Sequence, residues 1–298
     1  MVAGSAESWR AIAVAFLVRF DEGRPLMMRH RATASSRLGR PALPGGLLLG
    51  ASVSLAVLIL VLGRGRSPGL AGFSSNSRAE PSAHVVSAAE ARARDALAAR
   101  PMPETGSGHE YGYPKLSTRD PGVPIELPAA GSVDEFGVAT GFSPTVPGAL
   151  AQLAAIDVAA IQSGALPTVR SIIRAWAVPG GPTGENWSVL KAMAALLDGA
   201  GLSASGTDRL SVTVRPAMGL VKGTVGAGFA VVCIDLSVDI VLDGAGTQTA
   251  TVDCQRMLRT HRRWMIGPGA EPAPAGSIWP GTDAALDAGF KELRAVGK

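Results

Sequence analysis

FAVVCIDLSVDIVL, residues 229–242, followed by DGAGTQTATVDCQRML, residues 243–258, is the stretch that decides the fold. Even positions of the first segment (Val232, Ile234, Leu236, Val238, Ile240, Leu242) are all apolar, and the odd ones include Cys233, Asp235, Ser237 and Asp239. A period of two predicts a strand with one face on a core and the other toward solvent or a partner. Asp243-Gly244-Ala245-Gly246 is a turn signal, and Thr247–Leu258 returns as the next strand. If the turn is centred on Asp243-Gly244, facing residue numbers total 487 and Cys233 stands opposite Cys254. That register sets Val252 and Ala250 on the Asp235/Ser237 face and turns Thr251 and Asp253 toward the apolar one. A bulge or longer loop at Gly244–Gly246 would restore the apolar match and separate the cysteines. The only two cysteines of the chain are expected to form a disulfide, on compartment more than on geometry.

Working backward, the period changes from two to that of a helix. Leu210–Arg215 alternates and reads as a strand. Before it come three helical segments. Thr145-Val-Pro147 caps the first, with Leu150, Leu153, Ile156, Asp157, Ala160 and Ile161 at helical spacing and Gly164 and Pro167 closing it. Thr168–Ala177 sets Val169, Ile172, Ile173 and Trp176 on one face, and Pro179-Gly-Gly-Pro182 ends it. The third spans about 184–198, with Val189, Leu190, Met193, Leu196 and Leu197. Working forward, Thr260-His-Arg-Arg263 reads as a turn and Trp264-Met-Ile266 as a short strand. A Pro-rich stretch, 271–280, precedes a helix expected over 282–296. Helices first and antiparallel strands afterwards predict an α+β domain with helices packed on one side of a curved antiparallel sheet.

The remaining landmark is PGGLLLGASVSLAVLILVLG, residues 44–63, which carries no charge over 20 residues. A helix of that length rises about 30 Å, the thickness of a bilayer's hydrocarbon core. Seven of the 28 basic and three of the 24 acidic residues lie at or before residue 63, so the rest of the chain is neutral. The positive-inside rule then expects a cytoplasmic N-terminus and an extracytoplasmic C-terminal domain, although Arg64 and Arg66 follow the span directly. The run is long for a signal peptide and no A-x-A site follows it, so a retained single-pass anchor in the cell membrane is expected. Gly46, Gly50 and Ser54 share a small-residue spacing that suits helix self-association. Met27-Met28 opens an ordinary basic leader, and 1–26 read as an upstream extension.

The organisation expected is therefore a basic cytoplasmic tail (1–43), a membrane helix (44–63), a flexible linker or stalk (64–103) and an extracytoplasmic domain (104–298). Within the linker, Ser87–Arg100 is a short polar helix with no apolar stripe and little to pack against. Residues 104–144 are a Pro- and Gly-rich lead-in, with a short strand at Pro124–Leu127.

No catalytic constellation emerges. The four His are scattered, and no HExxH, CxxC, GxSxG or Walker A pattern occurs. Gly223–Gly228 is Gly-rich but leads into a strand, so it lacks the phosphate-cradling helix. Asp235 and Asp239 read as a solvated face. Arg256, Arg259, Arg262 and Arg263, with His261, gather round the last turn as a docking patch or a solvated tip. No cofactor or metal is expected. A neutral domain has no electrostatic footprint for nucleic acid.

Gly141-Phe142, Pro147-Gly148-Ala149, Cys254-Gln255-Arg256-Met257, Arg263-Trp264, Glu271-Pro272 and Trp279-Pro280-Gly281 carry a resemblance. Over about 140–298 the chain resembles uncharacterised actinobacterial single-pass membrane proteins, here associated with conjugation and type IV secretion-like clusters. Its architecture is also similar to the bitopic scaffold subunit of type IV secretion systems. That similarity implies a nuclear transport factor 2-like domain without catalysis of its own, which self-associates and docks other channel subunits. The long lead-in and the C-terminal segment depart from that compact scaffold domain. The alternative is an extracytoplasmic domain that holds a small molecule or lipid between helices and sheet.

Overall fold

The computed structural model describes residues 86–103, 114–274 and 278–296. The basic tail, the anchor 44–63 and its Gly46, Gly50 and Ser54 lie outside these, as do 1–26. No helix among the described residues is long and apolar enough to cross a membrane.

Local signals set most of the elements. Helix α1 is Ala88–Ala99, and the short strands β1, β2 and β3 are Ile125–Leu127, Ser132–Val133 and Ala139–Thr140. Helix α2, Val146–Gln162, starts where Thr145 Oγ1 accepts the Gly148 amide, with Pro147 in the first turn. Helix α3 is Leu166–Trp176, begun two residues earlier than its apolar face suggests because Pro167 fits the first turn. Helix α4, Ser188–Gly199, starts later than expected. Thr183 and Asn186 first close a side-chain turn, the Thr183 amide donating to Asn186 Oδ1 at 2.6 Å.

The strands are longer than alternation alone shows. Strand β4, Leu210–Thr224, runs on past Pro216 because two irregularities, at Pro216/Met218 and Val221/Gly223, absorb the breaks. Strand β5 is Phe229–Leu242 and β6 is Ala245–Thr260. Leu242 pairs with Ala245, so Asp243 and Gly244, at φ 52° and 79°, make a two-residue turn. The register totals 487 along the whole hairpin, with no bulge between Phe229 and Leu242. Strand β7, Arg263–Ile266, follows a second two-residue turn.

The C-terminus corrects the sequence reading. A single helix over 282–296 was expected. Instead α5 covers only Asp283–Asp287, Gly289 turns the chain at φ 89°, and Lys291–Ala295 forms strand β8. β8 lies between β1, to which it is parallel, and β4, to which it is antiparallel. Pairing on both sides outweighs the helix propensity of KELRA. Gly219 of β4 permits this approach, since a Cβ there would lie 2.8 Å from Leu293 Cδ2. The six-stranded sheet has the order β1-β8-β4-β5-β6-β7 and is curled and mostly antiparallel.

The even face of β5 meets the helices as expected. Val232, Ile234, Leu236, Val238 and Ile240 share one core with Leu150, Leu153, Ile156, Val169, Ile173, Trp176 and Leu196. The odd face was expected to meet solvent or a partner, and its upper half does neither. Cys233, Val252, Cys254 and Met218 are covered by Ile278, Ala285, Ala288 and Phe290 of the C-terminal segment. Phe229 and Val231 are covered by Ala98 and Leu97 of α1.

Helix α1 is therefore not the stalk that its lack of an apolar stripe implied. Ser87 caps it, Glu90 and Arg94 pair along it, and the Arg94 guanidinium lies 4.8 Å from the Phe229 ring centroid. Its C-terminal carbonyls are held by the Lys222 ammonium, which donates to Arg100 O at 2.5 Å and to Ala98 O at 3.4 Å. Two apolar side chains and a few well-placed charges dock this helix without an amphipathic pattern.

Candidate functional sites

The register that pairs the cysteines also builds the least expected site. β5 residues with even numbers face the helices, so their β6 partners Thr249, Thr251, Asp253 and Gln255 face them too. All four are buried. Above them, Asp157 is the only charged residue of α2 and is 0% exposed, against 2% for Asp253. The two carboxyls meet between helix and sheet, where Asp157, when protonated, can hydrogen-bond to Asp253. Two ionised carboxylates have no proton to share, and with both ionised the Asp157 oxygens and Asp253 Oδ2 are left without a donor.

Asp253 Oδ1 has partners from below and beside. It accepts from the Ser188 hydroxyl at 3.2 Å and from Gln255 Nε2 at 3.0 Å. Gln255 Nε2 also donates to Glu271 Oε1 at 3.2 Å, the single Ser188 hydroxyl proton is shared between Asp253 and Glu271 Oε1, 3.0 Å away, and the Ser188 amide at the start of α4 donates to Glu271 at 2.9 Å. Glu271 thus supplies the cap that the Trp187 side chain does not give α4. Burial pushes the Asp253 carboxyl up to about 7, and the Glu271 charge adds to it. Burial first, then Asp253 and Glu271, holds the Asp157 carboxyl well above the ordinary carboxylate range. The Thr249 and Thr251 hydroxyls and the Trp187 indole N–H, all buried, also lack partners. The arrangement can store a proton between two carboxyl groups. The two aspartates are closed to solvent, whereas Ser188 and Glu271 beside them are half-buried. Among the described residues no group of three His, Cys, Asp or Glu side chains is placed to hold a metal ion.

The hairpin register carries the sequence signal for this site. A Thr and an Asp on an apolar face, and an Asp within an apolar helix, mark the same place from two elements.

Cys233 and Cys254 are joined, with a sulfur–sulfur distance of 2.03 Å. The bond lies on the odd face, under Ile278 and Phe290. Asp235, two residues along, was expected in a solvated face and is 0% exposed with neither oxygen bonded; its desolvation holds the carboxyl well above the usual range. Asp239 lies nearer the strand's end, where Arg215 and Gln248 donate to it at 3.0 and 2.8 Å.

The expected basic patch divides. Arg256 does not belong to it: the side chain is buried on the odd face, donating to Asp95 Oδ1 at 2.6 Å and to Ala270 O at 2.8 Å. Parity separates it from the turn. Arg259 is half-buried, while His261, Arg262 and Arg263 are exposed. The Arg263 guanidinium lies 4.8 Å from the Trp176 ring centroid. Arg259, Arg262 and Arg263 make no ion pair among the described residues. His261 and Arg262 occupy the turn at φ 46° and 70°, the left-handed region that the other hairpin fills with Asp-Gly. Holding Arg262 there costs roughly 1–2 kcal/mol.

Comparison with known protein families, curated proteins and solved structures found no match to this chain. The inner carboxyls are buried together, the disulfide fastens the central hairpin, and the β6–β7 turn presents cations that make no ion pair among the described residues.

Proposed function

We propose that the chain is a single-pass membrane protein whose extracytoplasmic domain is a non-enzymatic assembly subunit of a conjugation or type IV secretion-like machine. The observation that supports it best is the β6–β7 turn. A strained backbone is kept there, and it displays Arg262 beside Arg263 and Arg259 with no ion pair among the described residues. A docking surface for an acidic segment of another channel subunit is consistent with that. The closed carboxyl site and the disulfide fit a scaffold that works outside the cytoplasm. In this reading the span 44–63 anchors the chain, and Gly46, Gly50 and Ser54 assist a homo-oligomer. Three helices leading into long strands curled about them suit a nuclear transport factor 2-like domain, to which β1, β8 and α1 are additions.

Deletion of the gene in its native host, followed by complementation, tests the reading. Loss of conjugative or secretion-type transfer, restored by the natural chain but not by an Arg259→Glu/Arg262→Glu variant, is expected. Transfer unchanged by the deletion would refute it.

A second reading is favoured by the unpartnered Thr249, Thr251 and Trp187 groups on the inner face. In that reading the domain holds a small polar molecule between helices and sheet. Native mass spectrometry of the purified protein would then show a stoichiometric added mass.

A further inference from the structure

Asp157 on α2 and Asp253 on β6 come together in the layer between the helices and the sheet, both almost wholly buried. Among the described residues no cation reaches them. Asp157 is the only charged residue of α2, and the exposed Lys191 and Asp198 of α4 point to solvent. On α3, Arg170 donates to the Gly184 carbonyl and Arg174 is exposed. On β6, Arg256 is on the opposite sheet face with Asp95, and Arg259 sits at the far end of the strand. Asp235 and Asp239 of β5 face the other way, Lys222 of β4 is engaged with the end of α1, Arg215 of β4 is exposed, and Arg263 of β7 stacks on Trp176. Among the described residues the one other charge acting on the pair is Glu271, which has the same sign.

Two adjoining carboxylates cannot both stay ionised in such a place. Like charges and desolvation act in the same direction, and the contact becomes attractive only if one carboxyl donates to the other. We propose that the Asp157–Asp253 pair keeps a proton at neutral pH and is a proton-operated latch between the helix layer and the sheet: protonated, it ties α2 to β6; deprotonated, it drives them apart. Ser188 and Gln255 orient Asp253 for this role, and the Glu271 charge raises both carboxyls, which favours the protonated pair.

The direction with pH follows from the raised carboxyls. When α2 lifts, both groups reach water and return to ordinary Asp behaviour, near 3.9. Opening therefore releases at least one proton, so the latch is fully closed at acid pH. Its hold weakens as pH rises from the ordinary Asp range through about 7, where Asp253 titrates, and ends when Asp157 gives up the last proton of the pair. Each released proton multiplies the opening constant about tenfold per pH unit.

Hydrogen exchange of α2 and α4 amides in the full-length protein, corrected for the intrinsic base-catalysed rate, reads this directly. Between pH 5 and 7 the opening constant should rise at least tenfold per unit. In Asp157→Asn, whose amide can donate to an ionised Asp253, the rise should fall by about one proton. Carboxyl carbon shifts of the natural protein provide a test that needs no variant: one of the two should remain protonated at pH 6. Two ionised carboxylates at pH 6, or an opening constant flat between pH 5 and 7, would overturn the latch. An Asn variant with the same slope as the natural chain would also do so.

Discussion

Reducing the Cys233–Cys254 bond should lower the stability of the domain by about 3 kcal/mol. The cysteines are 21 residues apart, and a cross-link closing a loop of that length removes roughly that much chain entropy from the unfolded state at 25 °C. Reduction is a cleaner perturbation than substitution. Both residues are buried, so alanines would add cavities in the cluster with Ile278 and Phe290, and serines would bury unpaired hydroxyls. The purified protein would be unfolded in urea with and without reductant and refolded in each state. For a domain of this size the thermal midpoint should drop by roughly 6–12 °C. The denaturant slope should rise slightly in the reduced form, because an uncross-linked chain exposes more surface when it unfolds. The hairpin is closed by a tight Asp243-Gly244 turn in any case, so retained hairpin structure in the reduced chain would bring the effect toward the lower end. Equal midpoints in the two states would refute the entropic argument. Two thiols titrating in the unfolded, non-reduced protein would refute the bond itself.

Three further outcomes follow from the packing. Gly148→Ala should destabilise the protein by about 2 kcal/mol or more in a urea melt, because its Cβ would lie 2.0 Å from the Ser143 carbonyl oxygen. That oxygen also accepts the Trp264 indole N–H at 3.1 Å, so Trp fluorescence should shift as well. Replacing His261-Arg262 by Asn-Gly should raise stability by about 1 kcal/mol, read from the same melts, while weakening partner capture. Asp95→Ala should speed amide exchange in α1 with little change elsewhere; exchange unchanged in α1 would mean that Leu97 and Ala98 hold it without the Arg256 pair.

Most of the fold was readable residue by residue. Thr145 with Pro147, the apolar face Val169–Trp176, the alternation 229–242 and the Asp-Gly turn each act within a few residues, so their consequences need no knowledge of the rest. The candidate sites were only half readable. The register showed that Thr251 and Asp253 would turn toward the helices, but not that Asp157 would meet them there. The basic turn was visible, but parity removed Arg256 from it.

The sequence by itself determined that helices lead into antiparallel strands between residues 145 and 266, the Asp243-Gly244 turn and the uncharged span 44–63, because each is written in local spacing and charge. Only tertiary structure decided what covers each sheet face. Alternation tells which residues share a face and is silent about what lies on it. Thus Asp235 came to be buried on the face away from the helices, KELRA became a strand between β1 and β4, and α1 docked without an apolar stripe. Asp157 and Asp253 lie almost a hundred residues apart in the chain, and a charge that is ordinary in either element alone becomes a shared proton once α2 is laid on β6.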